Sequence, residues 1–161
     1  MVIGLCLCPW AKPVRDSGGL RYSLTQARDA DQLSAALLHE IDLLQADEDI
    51  ETTILVHPHV FATDYFEFTH YAQEVELWMQ GEGLDESFQL VGFHPAHQFA
   101  HDDEADPGNF ANRSPYPMLH LLRQDSVTAA VEEHPNSVAI SRANAKLLRG
   151  LGTGQLEEMV R

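Results

Sequence analysis

Cys8 stands in the run Cys8-Pro9-Trp10-Ala11, with Lys12 and Arg15 close behind it. Cations beside a thiol favour the thiolate, the form that serves as nucleophile or redox centre. The competing reading is packing alone, because cysteine is among the most buried residue types. Cys6 is a weaker candidate. If the segment is helical, residues two apart point about 200° apart, so both thiols would not face one ligand. No zinc shared by Cys6 and Cys8 is therefore expected. His94, His97 and His101 are spaced by three and four, which on a helix lines one face and could grip a metal, with Asp102 and Asp103 adding oxygen ligands. Pro95 and the acidic run argue against a long helix there. His57 and His59 flank Pro58, and that proline argues for a turn. These histidines read as structural unless something else converges on them.

The densest stretch is Asn112-Arg113-Ser114-Pro115-Tyr116-Pro117. Two prolines stiffen it, and Pro117 suits the first turn of a helix. A helix start offers free N–H groups and a favourable dipole to an anion, and Arg113 would add a two-pronged donor for a carboxylate or phosphate. On the expected helix, His120 and Arg123 lie three apart and would face the same pocket. The competing reading is a proline-rigid loop with Ser114 as a cap and Arg113 in a structural ion pair.

The elements that must position these groups follow from periodicity. Residues 2–11 read as a short helix stopped near Pro13. Leu20, Tyr22 and Leu24 alternate with Arg21, Ser23 and Thr25, the pattern of a half-exposed strand. Asp29 with Gln32 forms a capping box, followed by Leu33, Leu37, Ile41 and Leu44 on one helical face. Residues 52–56 are a continuous β-branched and aliphatic run, expected in the sheet interior. Asp64 starts a second helix bearing Tyr65, Phe68, Ala72, Val75 and Met79, which Gly81 and Gly83 end. Residues 87–93 form a third strand, closing at His94-Pro95. The expectation is an α/β fold, a single domain over residues 1–161, with a small three-stranded, mainly parallel sheet ordered β-α-β-α-β. A long motif-bearing loop (94–117) and a helical C-terminal third then follow. Residues 118–133 are expected to be helical, and Ser141 is expected to cap a last helix ended by Gly150 or Gly152. In open parallel sheets ligands bind beyond the strands' carboxyl ends, where His57, His59 and His94 lie.

Charge adds a constraint. There are 25 acids against 10 cations, a net charge of -15, and no Lys or Arg falls between Arg28 and Arg113. Such a field repels nucleic acid and anionic membranes, so neither is an expected partner. If the fold joins the two ends of the acidic stretch, it makes a small positive pocket suited to a small anionic molecule. No apolar run approaches the roughly 20 residues of a membrane helix, and the apolar start lacks a basic leader. Two close cysteines make no disulfide framework, so a cytoplasmic setting is expected.

Three segments together resemble a known family. They are Gly4-Leu5-Cys6-Leu7-Cys8-Pro9-Trp10-Ala11-Lys12-Pro13, then Phe93-His94-Pro95, then Asn-Arg-Ser-Pro-Tyr-Pro-Met-Leu-His-Leu-Leu-Arg at 112–123. In this order they resemble a bacterial and plant family called domain of unknown function 1415. Cys8, Pro9, His94, Pro95, Phe99, Arg113, Ser114, Pro115, Pro117, His120 and Arg123 fall on its motif positions. Cys6, His97 and His101 do not, since members usually carry Asn and an aromatic at the Cys6 and His97 positions. The resemblance assigns no activity and leaves any cofactor unknown, but it implies Cys8 and His94 as site residues. The leading expectation is therefore an enzyme, or an enzyme-like binder, for a small anion. In it Cys8 is the nucleophile or redox centre, His94 is its base, and Arg15 and Arg113 clamp the anion, supported by Asn112, Ser114, His120 and Arg123. The alternatives are a metal-binding protein using Cys8, His94 and one or more of His97, His101 or His120, and a non-catalytic interaction domain. Cys8, His94 and Arg113 are expected to converge on one cleft.

Overall fold

The computed structural model describes residues 1–133 and 136–160, apart from the side chain of Ser137. A short helix α1 (Ala11–Ser17) ends at Gly18, whose φ of 85° is a left-handed conformation that glycine adopts without steric cost. Strand β1 (Leu20–Leu24), helix α2 (Ala30–Ala46), strand β2 (Thr52–Val56), helix α3 (Tyr65–Gly81) and strand β3 (Phe88–Phe93) follow. The caps are those the sequence requires. Asp29 accepts from the Gln32 amide and Asp64 from the Glu67 amide, each satisfying an orphan N–H of the first turn. A strand β4 (Met118–Arg123) runs directly into helix α4 (Gln124–Glu133), and helices α5 (Ser137–Leu151) and α6 (Thr153–Val160) complete the described chain.

The sheet has four strands in the order β1-β2-β4-β3. β1 and β2 pair in parallel, whereas β4 pairs antiparallel with both β2 and β3. The three expected strands do run in one direction, and β2 is interior as its uninterrupted apolar run demands. The three-stranded, mainly parallel sheet is corrected to a mixed one, because β4 enters between β2 and β3. Residues 118–123 are accordingly a strand, not the first turns of a helix. Leu119 and Leu121 are fully buried while Met118, His120 and Leu122 face the other way, a period of two that leucines on both faces conceal. Residues 2–10 form consecutive turns, not a helix, and Cys6 has a φ of 52°. Asn136, not Ser141, caps α5, and Gly152 ends it.

The strands divide their side chains between two layers. On one face Leu55, Phe88, Leu90, Leu119 and Leu121 pack against Leu33, Leu37, Ile41 and Leu44 of α2 and Phe68, Tyr71, Val75 and Met79 of α3. A separate cluster of Leu7, Phe110, Leu148 and Leu156 ties the N-terminal turns to α5, α6 and a 3-10 turn at Pro107–Ala111. Gly92 of β3 lies where Phe68 closes on the sheet, and a Cβ added there would sit 3.0 Å from two ring carbons. Gly92→Ala is therefore expected to cost about 1–3 kcal/mol through forced repacking, read as a lower denaturant midpoint at unchanged slope.

Candidate functional site

The strands' second face is not covered by α2 and α3. Leu20, Thr52, Ile54, Phe93, His120 and Leu122 from it line a cleft of about 900 Å³. Met1, Val2, Cys8, Trp10 and Val14 close it on one side, and Val127 and Val131 of α4 with Met159 and Val160 of α6 on another. A pocket of this size holds a drug-sized molecule. Its lining is mostly apolar, and the polar side chains that interrupt it include Cys8, Arg15, Glu51, Arg113, Ser114 and His120. Arg113 and Ser114 also line an adjoining recess of about 350 Å³ with Pro95, Phe110 and Glu157.

The sequence-predicted groups separate here. Cys8 is partly exposed and borders the cleft. The two cations behind it are turned to Asp16: Lys12 at 2.6 Å, and Arg15 through Nε and Nη2 at 2.9 and 2.7 Å. Arg113 donates from Nε to the His97 carbonyl (3.1 Å) and from Nη2 to the Glu104 carbonyl (2.7 Å), with its guanidinium 4.9 Å from the centre of the Phe110 ring. Ser114 donates to the Tyr116 carbonyl at 2.6 Å, and Asn112 receives the His94 amide on its own carbonyl, so both brace the loop. Arg123 borders the cleft, but its guanidinium crosses to the helical layer, where it binds the carbonyls of Leu44 (2.6 Å), Asp47 (2.9 Å) and Ile50 (3.0 Å). It therefore closes off the carboxyl end of α2, whose last carbonyls lack helical partners. His120 and Arg123, an odd number apart on a strand, cannot share a face as they would on a helix. The helix start expected at Pro117 is absent, so the amides of β4 serve the ladder and not an anion.

His94 is 1% exposed and is not among the residues lining the cleft. The Ala96 amide donates to its Nδ1 (3.0 Å), so the proton resides on Nε2, which donates to the Phe61 carbonyl (2.9 Å). Its ring lies 5.2 Å from Tyr65 and 5.1 Å from Phe68, centre to centre. Both nitrogens are occupied, and burial pushes its pKa below the ordinary histidine value. His57, at the end of β2, stacks on the same Phe68 and gives Nδ1–H to the Val60 carbonyl, leaving Nε2 buried without a partner. His97 meets the Tyr65 hydroxyl at 3.2 Å, also with an unpartnered buried Nε2. Burial holds His57 at about 4; His97 falls to about 4 through burial and the nearby Arg113 charge. The strand ends thus gather histidines, as topology suggests, but into an aromatic bracket for the loop. Among the described residues no group of three or more His, Cys, Asp or Glu side chains is placed to hold a metal, and His101 is exposed. Among the described residues no helix is long and apolar enough to cross a membrane.

A group the sequence leaves unremarked is Thr52, 5% exposed, whose hydroxyl donates to the Leu121 carbonyl (2.5 Å) and meets His120 Nε2 at 2.7 Å. Only the β4 register makes that contact, so no local signal could have revealed it.

With this geometry in hand, the class is a mixed α/β protein with a large, mostly apolar cleft bordered by a thiol and by Arg15, Arg113 and Arg123. The chain belongs to the family described as protein of unknown function (DUF1415), whose model matches residues 1–158. No curated protein and no solved structure matches it.

Proposed function

We propose that the cleft binds a small amphipathic anion, with the ligand's apolar body on the open sheet face and its charged end at Arg113. One observation carries the reading. In a chain with 25 acids and 10 cations, Arg113 forms no salt bridge among the described residues, although two carbonyls and the Phe110 ring hold its guanidinium in place. A fixed cation without a carboxylate partner, beside a largely apolar surface, suits a ligand that brings its own negative charge. Arg15, paired among the described residues with its neighbour Asp16, is a second cation on the same lining. Cys8 supplies the cleft's nucleophile, which makes the protein enzyme-like. His94 serves the site by anchoring the loop that carries Arg113, rather than as a base for Cys8.

The test compares an anionic dye, anilinonaphthalene sulfonate, with its uncharged counterpart N-phenylnaphthylamine. The sulfonate is expected to bind about 10-fold more tightly at low salt, and Arg113→Gln is expected to remove that preference while leaving the neutral dye unaffected. Equal affinity for both dyes in the unaltered protein rejects the anionic reading.

A further inference from the structure

We infer that the occupant carries a hydroxyl or N–H donor set within its apolar body, and that Nδ1 of His120 receives it. The inference rests on the cleft reading above and deepens it by naming the ligand's chemistry.

The chain of donors fixes the tautomer. A backbone carbonyl only accepts, so the single proton of the Thr52 hydroxyl is committed to Leu121. The same oxygen must then accept from His120, which places the imidazole proton on Nε2. Nδ1 is left as a bare acceptor, and no described residue donates to it. Burial holds the imidazole near pKa 4, so at neutral pH this nitrogen accepts and does not donate. The tautomer is imposed from outside the ring: rotating the Thr52 hydroxyl towards His120 would leave its oxygen against the Leu121 carbonyl oxygen with no proton between them.

The surroundings turn this acceptor into a selector. His120 lies beside Phe93, ring centres 6.1 Å apart, and between Ile54 and Val91 across the two ladders. An apolar acid without a donor would cover Nδ1 and exclude water without replacing its hydrogen bond. A ligand with a correctly placed hydroxyl avoids that loss. Sites built this way discriminate by the polar group the ligand lacks, more strongly than by an added methylene. Arg113 and His120 together therefore describe an apolar molecule with an acid at one position and a donor at another, such as a hydroxylated aromatic or alicyclic carboxylate.

Calorimetric titration with 2-naphthoate and its hydroxylated ring isomers tests this. At least one hydroxy isomer is expected to bind about 10-fold more tightly than the parent acid. His120→Gln keeps an N–H for Thr52 but removes the acceptor at the Nδ1 position, and His120→Phe removes both. In either variant, its fold confirmed by circular dichroism, the advantage is expected to vanish while the parent acid still binds. If the parent binds but no isomer gains, or if the gain survives in a folded variant, this inference is wrong and the cleft reading stands. If no naphthoate binds, the cleft reading fails and takes the inference with it.

Discussion

Between pH 6.5 and 4 the fold is expected to lose about 5 kcal/mol of stability, before most carboxylates titrate. His57, His97 and His120 are each held at about 4 in the folded chain, against an ordinary histidine value of 6.5. In this window the unfolded chain takes up protons that the folded chain refuses, so unfolding becomes more favourable as pH falls. The contribution is fully present above 6.5, is lost through the interval, and levels off below 4. For the fully buried His57 this displacement is worth about 3 kcal/mol. His97 and His120 are only partly enclosed and contribute less. The net charge of -15 works in the opposite direction, since neutralising exposed acids relieves self-repulsion, but that relief belongs mostly below pH 4.5. Urea midpoints at pH 7, 6 and 5 would show the decline. His57→Phe, which keeps a ring against Phe68 and cannot titrate, should flatten the slope by about one proton. A flat profile from pH 7 to 5 would mean the histidines are not held neutral by burial.

His94→Ala is expected to cost about 4 kcal/mol, the largest effect of any single substitution considered for this chain. Removing the ring empties a site closed by Tyr65 and Phe68. It also strips the Phe61 carbonyl of its donor and the Ala96 amide of its acceptor. Phe61 itself has a φ of 56°, a conformation uncommon for a bulky residue and one that needs outside support. The loop carrying Arg113 begins here, because Arg113 is tied back to the His97 carbonyl. A residue serving only as a base for Cys8 would be replaced with little loss of stability. Chemical denaturation separates these roles: a change under 1 kcal/mol would remove His94 from the structural bracket.

The expected fold was legible wherever local chemistry decides. The Asp29 and Asp64 caps, the apolar stripes of α2 and α3, and the interior placement of β2 all follow from patterns within one element. What escaped was settled by partners distant in sequence. Residues 118–123 hold three leucines and a methionine, favourable to a helix, and become a strand because the slot between β2 and β3 pairs β4 along both edges. That single insertion also moves His120 onto the open face, brings it to Thr52, and sends Arg123 to the carbonyls of α2. Cys8 and Arg113 were legible as neighbours of one cavity through the scarcity of cations and the stiffness of the 112–117 loop. The separation of His94 from that cavity was not, because the end of β3 and its aromatic bracket lie on the helical side of the sheet.

The most direct measurement is the rate at which Cys8 is alkylated by iodoacetamide in a Cys6→Ser background, with and without saturating anilinonaphthalene sulfonate. If one anionic, apolar ligand fills the cleft that Cys8 borders, the dye should slow modification about 10-fold, and Arg113→Gln should require proportionately more dye for the same protection. An unchanged alkylation rate with the dye demonstrably bound would place the ligand elsewhere and contradict the site.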